Sequence, residues 1–169
     1  MANLKLAGVS KIYPSGKMAL FNVNFSSSDS EFIAVTGGSL SGKSTLLRII
    51  AGLEEATAGD IFIGDKLMNE ADPKDRDVAM IFGSNTLYPS LSVADNMAYG
   101  LKMRNVPAAV ILQRVKVVAE MLGLTEVLYR KPKALTSTQR LLTTYGRAIV
   151  REPKLYLFAV SYTHLRAHE

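Results

Sequence analysis

A short apolar run, Phe32–Val35, ends at Thr36 and passes directly into Gly37, Gly38, Ser39, Leu40, Ser41, Gly42, Lys43 and Ser44; beyond these, Leu46, Leu47, Ile50 and Leu53 recur at helical spacing. The eight residues from Gly37 fit GxxxxGK[ST], the phosphate-loop pattern. Such a loop needs a strand before it and a helix after it, because it works by aiming successive backbone N–H groups at one anionic centre at a helix start. Gly37 permits the turn out of the strand, and Gly42 permits close approach of the backbone beside the phosphates. The helix opening at Lys43 adds roughly half a positive charge from its aligned peptide dipoles. The Lys43 ammonium is then placed for the β and γ phosphates of a triphosphate, and the Ser44 hydroxyl for Mg²⁺. A chain organised around this unit reads as an α/β protein.

The surrounding pattern agrees. Leu4, Leu6 and Gly8 alternate with polar neighbours, and Leu20, Val23 and Phe25 lie in a second extended run, so two half-buried strands come first. Phe32–Val35 reads as a fully buried parallel strand. Ala58–Asp60 reads as a break after the helix and Ile61–Ile63 as renewed extension, which makes strand, loop, helix and strand a βαβ-type opening. Val78–Phe82 and Leu155–Phe158 read as further buried strands, and Ala108–Leu122 and Thr138–Val150 as helices.

Composition narrows the classes that remain. A chain of 169 residues is one domain's worth of protein, and 48% hydrophobic with 21% charged residues describes a folded chain. No apolar run approaches the roughly 18–20 residues that span a bilayer. The absence of cysteine excludes disulfides, thiolate metal sites and cysteine nucleophiles, and it agrees with a cytoplasmic location. The net charge of +5 is spread along the sequence; its densest cluster, Arg130, Lys131 and Lys133, is interrupted by Pro132 and reads as solvated surface, so no nucleic-acid partner is expected.

Taken together, GGSLSGKSTLLRIIAGLEEATAGDIFIGD, DVAMIFGSNTLYPSLSVADNMAYGLKMRN, RKPKAL and GRAIVREPK resemble the ATP-binding subunits of ABC importers, in the branch that serves sugars and glycerol phosphate. The resemblance covers about residues 3–158. It implies a partial ABC-type nucleotide-binding domain over residues 1–158, with an antiparallel β edge from Leu4 to Phe25, a parallel sheet carrying the loop, and a helical subdomain at about 88–135. It implies ATP and Mg²⁺ as cofactors, with Gly37, Gly38, Ser39, Leu40, Ser41, Gly42, Lys43, Ser44 and Thr45 around the phosphates and Ser44 on the metal. Tyr13 stands where relatives stack an aromatic residue on adenine. The implied partners are the transmembrane permease subunits and a second nucleotide-binding subunit, and the implied location is the inner face of the plasma membrane.

The same comparison exposes departures. Gly38 and Leu40 differ from the usual loop residues, and a leucine held at positive φ costs about 1–2 kcal/mol. Gly83 replaces a glutamine that relatives use at Mg²⁺ and the attacking water. The signature LSGGQ appears as Leu135, Thr136, Ser137, Thr138 and Gln139, without either glycine. Ala159 and Val160 stand where relatives carry the Asp that holds Mg²⁺ and the Glu that polarises water. Without them hydrolysis is expected to be slow, since general-base assistance alone is worth about 10²–10⁴ in rate. The residues that follow, SYTHLRAHE, look like translated sequencing-adapter DNA, so 159–169 reads as a non-native tail, and the His164 and His168 pair within it is not expected to bind metal. Two further classes fit the loop: a non-catalytic nucleotide-binding module, and a small P-loop nucleotide kinase, although no arginine-bearing lid is recognisable.

Overall fold

The computed structural model describes residues 2–82 and 87–159. These divide into two compact units, one formed by residues 2–79 with 154–159 and the other by residues 80–82 with 87–153.

The first unit opens with a hairpin of β1 (Leu4–Ile12) and β2 (Met18–Ser26), turned at Tyr13–Gly16, where the Gly16 N–H donates to the Tyr13 carbonyl. Next come α1 (Lys43–Ala51), β3 (Ala58–Ile63) and the short β4 (Lys66–Leu67). β3 pairs antiparallel with the free side of β1, giving the sheet order β2-β1-β3-β4. β5 (Val78–Phe82) begins in this unit and pairs with β6 (Leu155–Ala159) in a second, two-stranded sheet. Leu4, Leu6, Val9 and Leu20 of the hairpin, Ile49 and Ile50 of α1, Ile61 and Ile63 of β3, and Leu157 of β6 form the core. Each such side chain, fully buried, contributes about 1.5–3 kcal/mol.

Three expectations are corrected here. First, Gly8 does not continue the inward alternation of β1. Leu6 pairs with Phe25 and Val9 with Val23, so β1 carries one extra residue and bulges at Gly8, whose φ is 65°. The bulge hands the next buried position to Val9. Second, Ala58–Asp60 is not a break but the start of β3; the helix is closed earlier by Gly52 at φ 75°, whose N–H and that of Leu53 bond back to the last turn of α1. Because β3 joins β1 antiparallel, the opening is not a βαβ unit. Third, Phe32–Val35 is not a buried strand. The backbone from 27 to 42 is irregular, and Phe32 is 90% exposed. An apolar run becomes a parallel strand only when neighbours offer it a hydrogen-bond ladder, and β5 and β6, the strands expected beside it, are hydrogen-bonded within a two-stranded sheet that does not include it.

The second unit is helical: α2 (Val93–Lys102), α3 (Ala108–Met121) and α4 (Ser137–Ile149), with short 3₁₀ turns at Thr125–Val127 and Pro132–Ala134. Val93, Met97 and Leu101 of α2 pack with Ile111, Val115 and Val118 of α3 and with Leu124, Leu135 and Val150. Gly146 brings α4 close to α2, since a Cβ there would stand 2.9 Å from the Met97 Cε. Asn96, 1% exposed, is buried without penalty because its amide is fully engaged. Its Oδ1 accepts from the Tyr88 N–H, and its Nδ2 donates to the carbonyls of Tyr88, Leu91 and Ser92, tying down the loop before α2. The sequence-read helices at 108–122 and 138–150 differ from α3 and α4 by a single residue at the ends.

Candidate functional site

The loop Gly37–Gly42 leads into α1 with its backbone set by three left-handed residues. Gly37 has φ 153°, Leu40 φ 62° and Gly42 φ 87°. At Gly37 a Cβ would lie 2.7 Å from the Ser41 Oγ, so a side chain there would displace that hydroxyl in addition to straining the backbone. The condition attached to Leu40 is met: a leucine occupies the left-handed region at a cost of about 1–2 kcal/mol, with its side chain 86% exposed and returning no packing. Gly38 has nothing within 4 Å of where a Cβ would be, so space imposes no glycine there.

Gly42 caps α1, and the fold gives it a reason of its own to be glycine. A Cβ would stand 2.4 Å from the Ala19 carbonyl oxygen of β2, so the residue is needed for the fit of the helix start against the hairpin. The first intrahelical bond runs from the Leu46 N–H to the Gly42 carbonyl, 2.8 Å, which leaves the amides of Lys43, Ser44 and Thr45 without helical acceptors. No acidic residue sits in this first turn to compete for them.

The Lys43 side chain folds back over the loop. Its ammonium donates to the carbonyls of Gly37 (2.8 Å) and Gly38 (2.6 Å) and to the Ser41 Oγ (3.1 Å). The loop is thus wrapped around one cation, at the positive end of a helix, with Ser44 exposed beside it. Tyr13, 30 residues earlier, is brought to the same helix start, its hydroxyl 3.4 Å from the Thr45 Oγ1. This donor set, an ammonium, free amides and hydroxyls, is chemically suited to a polyphosphate. It is poor in metal ligands: Ser44 offers one oxygen, Ala159 at the end of β6 offers none, and the described residues contain no group of three or more His, Cys, Asp or Glu that could hold an ion.

The helix that carries the loop is held at its other end by a residue the sequence reading passed over. Arg76 is buried, and its guanidinium donates to the carbonyls of Ile49 and Ile50 in the last turn of α1 and to those of Ala71 and Asn69. Burial lowers its pKa from the ordinary value. Gly52 completes the fit, since a Cβ there would meet the Arg76 Nε at 2.4 Å. Lys11 was also missed. Its ammonium lies over the Tyr13 ring, 5.3 Å from the centroid.

The altered signature, residues 135–139, forms the start of α4. Thr136 caps the helix: its Oγ1 accepts from the Gln139 N–H at 3.1 Å, while the Gln139 Oε1 accepts from the Thr136 N–H at 3.0 Å. The sequence reading, which began this helix at Thr138, passed over the T-x-x-Q spacing that signals such a cap. Ser137 and Thr138, in place of the glycines, stand exposed in the first turn. Gly83, Val160, His164 and His168 lie outside the described residues.

Comparison with known proteins bears on this geometry. The profile of the ABC transporter family matches residues 20–158. The chain is 48% identical over 167 residues to the sn-glycerol-3-phosphate import ATP-binding protein UgpC of Jannaschia sp., covering 99% of this chain and 48% of that protein. The UgpC of Cupriavidus metallidurans matches at 48% identity over 99% of this chain and 46% of its own length. The chain therefore spans about half the length of the curated relatives it matches. Among solved structures, CbiO1 of Clostridium perfringens, described as part of the ABC transporter complex cbiONQ, superposes with a TM-score of 0.83. That match covers 92% of this chain and 64% of CbiO1 at 24% identity, a likeness of fold. This chain belongs to the ABC transporter family and carries part of its α/β P-loop nucleotide-binding fold.

Proposed function

We propose that the chain is the nucleotide-binding portion of an ABC importer's ATP-binding subunit, which in the whole protein couples ATP hydrolysis to uptake of a carbohydrate-type solute. The observation that carries this reading is the wrapping of the Gly37–Gly42 loop around the Lys43 ammonium at the start of α1. The Lys43 ammonium would turn from the loop carbonyls to the phosphates of Mg·ATP, the amides of Lys43, Ser44 and Thr45 would supply further donors, and Ser44 would supply the protein's oxygen to the metal. Tyr13 offers its ring to the adenine. Mg²⁺ supplies neutralisation of charge developing on the β and γ phosphates.

Residues 1–158 act as the partial nucleotide-binding domain, with 88–135 as the subdomain that meets the transmembrane permease subunits and 159–169 as a non-native tail. A second nucleotide-binding subunit completes the site, at the inner face of the membrane; no described helix is itself long and apolar enough to cross one. Sugar-importer use is favoured by the relatives named for sn-glycerol-3-phosphate import. Ala159 favours a second reading of this chain taken alone: it binds nucleotide and hydrolyses it poorly, because neither a metal-holding nor a proton-accepting carboxylate ends β6.

Titration with a fluorescent ATP analogue, paired with a phosphate-release assay on the same sample, tests both readings. Saturable, Mg²⁺-dependent binding with phosphate release near background is expected. Absence of binding refutes the nucleotide reading, and turnover at about 1 s⁻¹ or faster, within the ordinary enzymatic range, refutes the account of Ala159.

A further inference from the structure

We infer that Lys11 is a positioning residue for recognition of the nucleotide base: it fixes the Tyr13 ring and occupies one of its faces, so that a base stacks on the other. This rests on the reading of Tyr13 as the adenine platform.

Lys11 is the next-to-last residue of β1, and Tyr13 is the first residue of the turn that follows. The Lys11 ammonium lies over the Tyr13 ring at 5.3 Å from its centroid. It is not a wandering surface cation. It donates to the Glu55 carbonyl at 2.7 Å and pairs with the Glu54 carboxylate at 3.5 Å, and both side chains of that pair are only 15% exposed. Glu54 is in turn held by Arg48 of α1 at 3.4 Å. Tyr13 is fixed at its far end as well, through its hydroxyl and the Thr45 Oγ1.

The ring is therefore held by α1 at two points: its hydroxyl at the first turn, directly beside the phosphate loop, and one face through Lys11, Glu54 and Arg48 near the last turn. A ring so held loses little freedom when a planar ligand stacks on it, and a cation behind it draws π density away from the stacking face. The polyphosphate does not depend on Lys11, because its donors are Lys43 and the amides at the start of α1. Lys11 thus acts on the base-bearing part of the ligand alone.

The test compares Mg·ATP with Mg·tripolyphosphate, which carries the phosphates and no base, by calorimetric titration of the 169-residue chain and its variants. Lys11→Met is expected to weaken ATP binding about two- to five-fold while leaving tripolyphosphate binding unchanged, which also reports that the loop is intact. Lys11→Arg, which keeps a cation over the ring, is expected to restore the ATP affinity. An unchanged ratio of the two affinities in Lys11→Met, whether both hold or both fall together, overturns the inference. Tyr13→Ala separates the two levels. If it abolishes the preference for ATP while Lys11→Met does not, Lys11 alone is refuted; if Tyr13→Ala also leaves the preference intact, the stacking platform itself is refuted, and the role of Lys11 with it.

Discussion

Replacing Arg76 by alanine strikes the anchor of the phosphate-loop helix at the end opposite the loop. Two of its hydrogen bonds are short, 2.9 Å from Nε to the Ala71 carbonyl and 2.9 Å from Nη1 to the Ile49 carbonyl, and two are longer, to Ile50 at 3.3 Å and Asn69 at 3.4 Å. Bonds from a charged donor are worth about 1.5–3 kcal/mol each, so the short pair alone represents roughly 3–6 kcal/mol. Against this stands relief from burying a guanidinium held by backbone carbonyls rather than by a carboxylate. The Ile49 carbonyl keeps a partner in the Gly52 N–H, whereas that of Ile50 loses its bond from the Arg76 Nη1. A net loss of about 3 kcal/mol follows, which for a chain of this size lowers Tm by about 6–12 °C. Thermal unfolding followed by circular dichroism measures it. Gly52→Ala provides the cross-check: in the native background it carries both left-handed strain and the 2.4 Å clash with Arg76 Nε, while in Arg76→Ala only the strain remains, so the two substitutions together cost less than their sum. A Tm within 2 °C of the parent in Arg76→Ala, or strict additivity, refutes the anchoring role.

Other perturbations follow from the same geometry. Gly42→Ala sets a Cβ 2.4 Å from the Ala19 carbonyl at φ 87°; it is expected to cost at least about 2 kcal/mol in urea unfolding and to weaken ATP binding in titration. Leu40→Gly removes about 1–2 kcal/mol of left-handed strain and gives back about 0.4–1 kcal/mol of chain entropy, so stability is expected to hold or rise slightly; a clear fall in urea midpoint contradicts the strain assignment. The Asp95 carboxyl at the start of α2 is held below its ordinary pKa by the Lys102 ammonium and then by the Ser92 hydroxyl. Its contribution is therefore complete above about pH 4 and lost as pH falls through the lowered value. Asp95→Asn is expected to be less stable than the parent at pH 7, the gap closing as the parent's Asp95 protonates, measured as urea midpoints across that range.

What was legible in the sequence depended on how local the determining forces are. The phosphate loop was legible because a glycine-rich turn, a lysine and a helix start are fixed within a dozen residues. The helices α3 and α4 showed through their own periodicity. Phe32–Val35 misled because an apolar run specifies burial but not a ladder partner, and strand formation needs both. Gly8 misled because a bulge is decided by its cross-strand neighbour, here Gly59, whose Cβ would stand 2.4 Å from the Gly8 backbone. Arg76 and Lys11 escaped notice for a similar reason. A lone basic residue in sequence reads as solvated surface, and only the fold places one under a helix end and the other over an aromatic ring.

The central claim is that the ammonium of Lys43 and the amides at the start of α1 grip a polyphosphate. Titration of the chain and of Lys43→Ala with Mg·ATP tests it most directly, with circular dichroism to verify that both are folded. The account predicts saturable binding by the parent and a loss of at least about 1.4 kcal/mol, tenfold in affinity, in the variant. Equal affinity in the two folded proteins contradicts it.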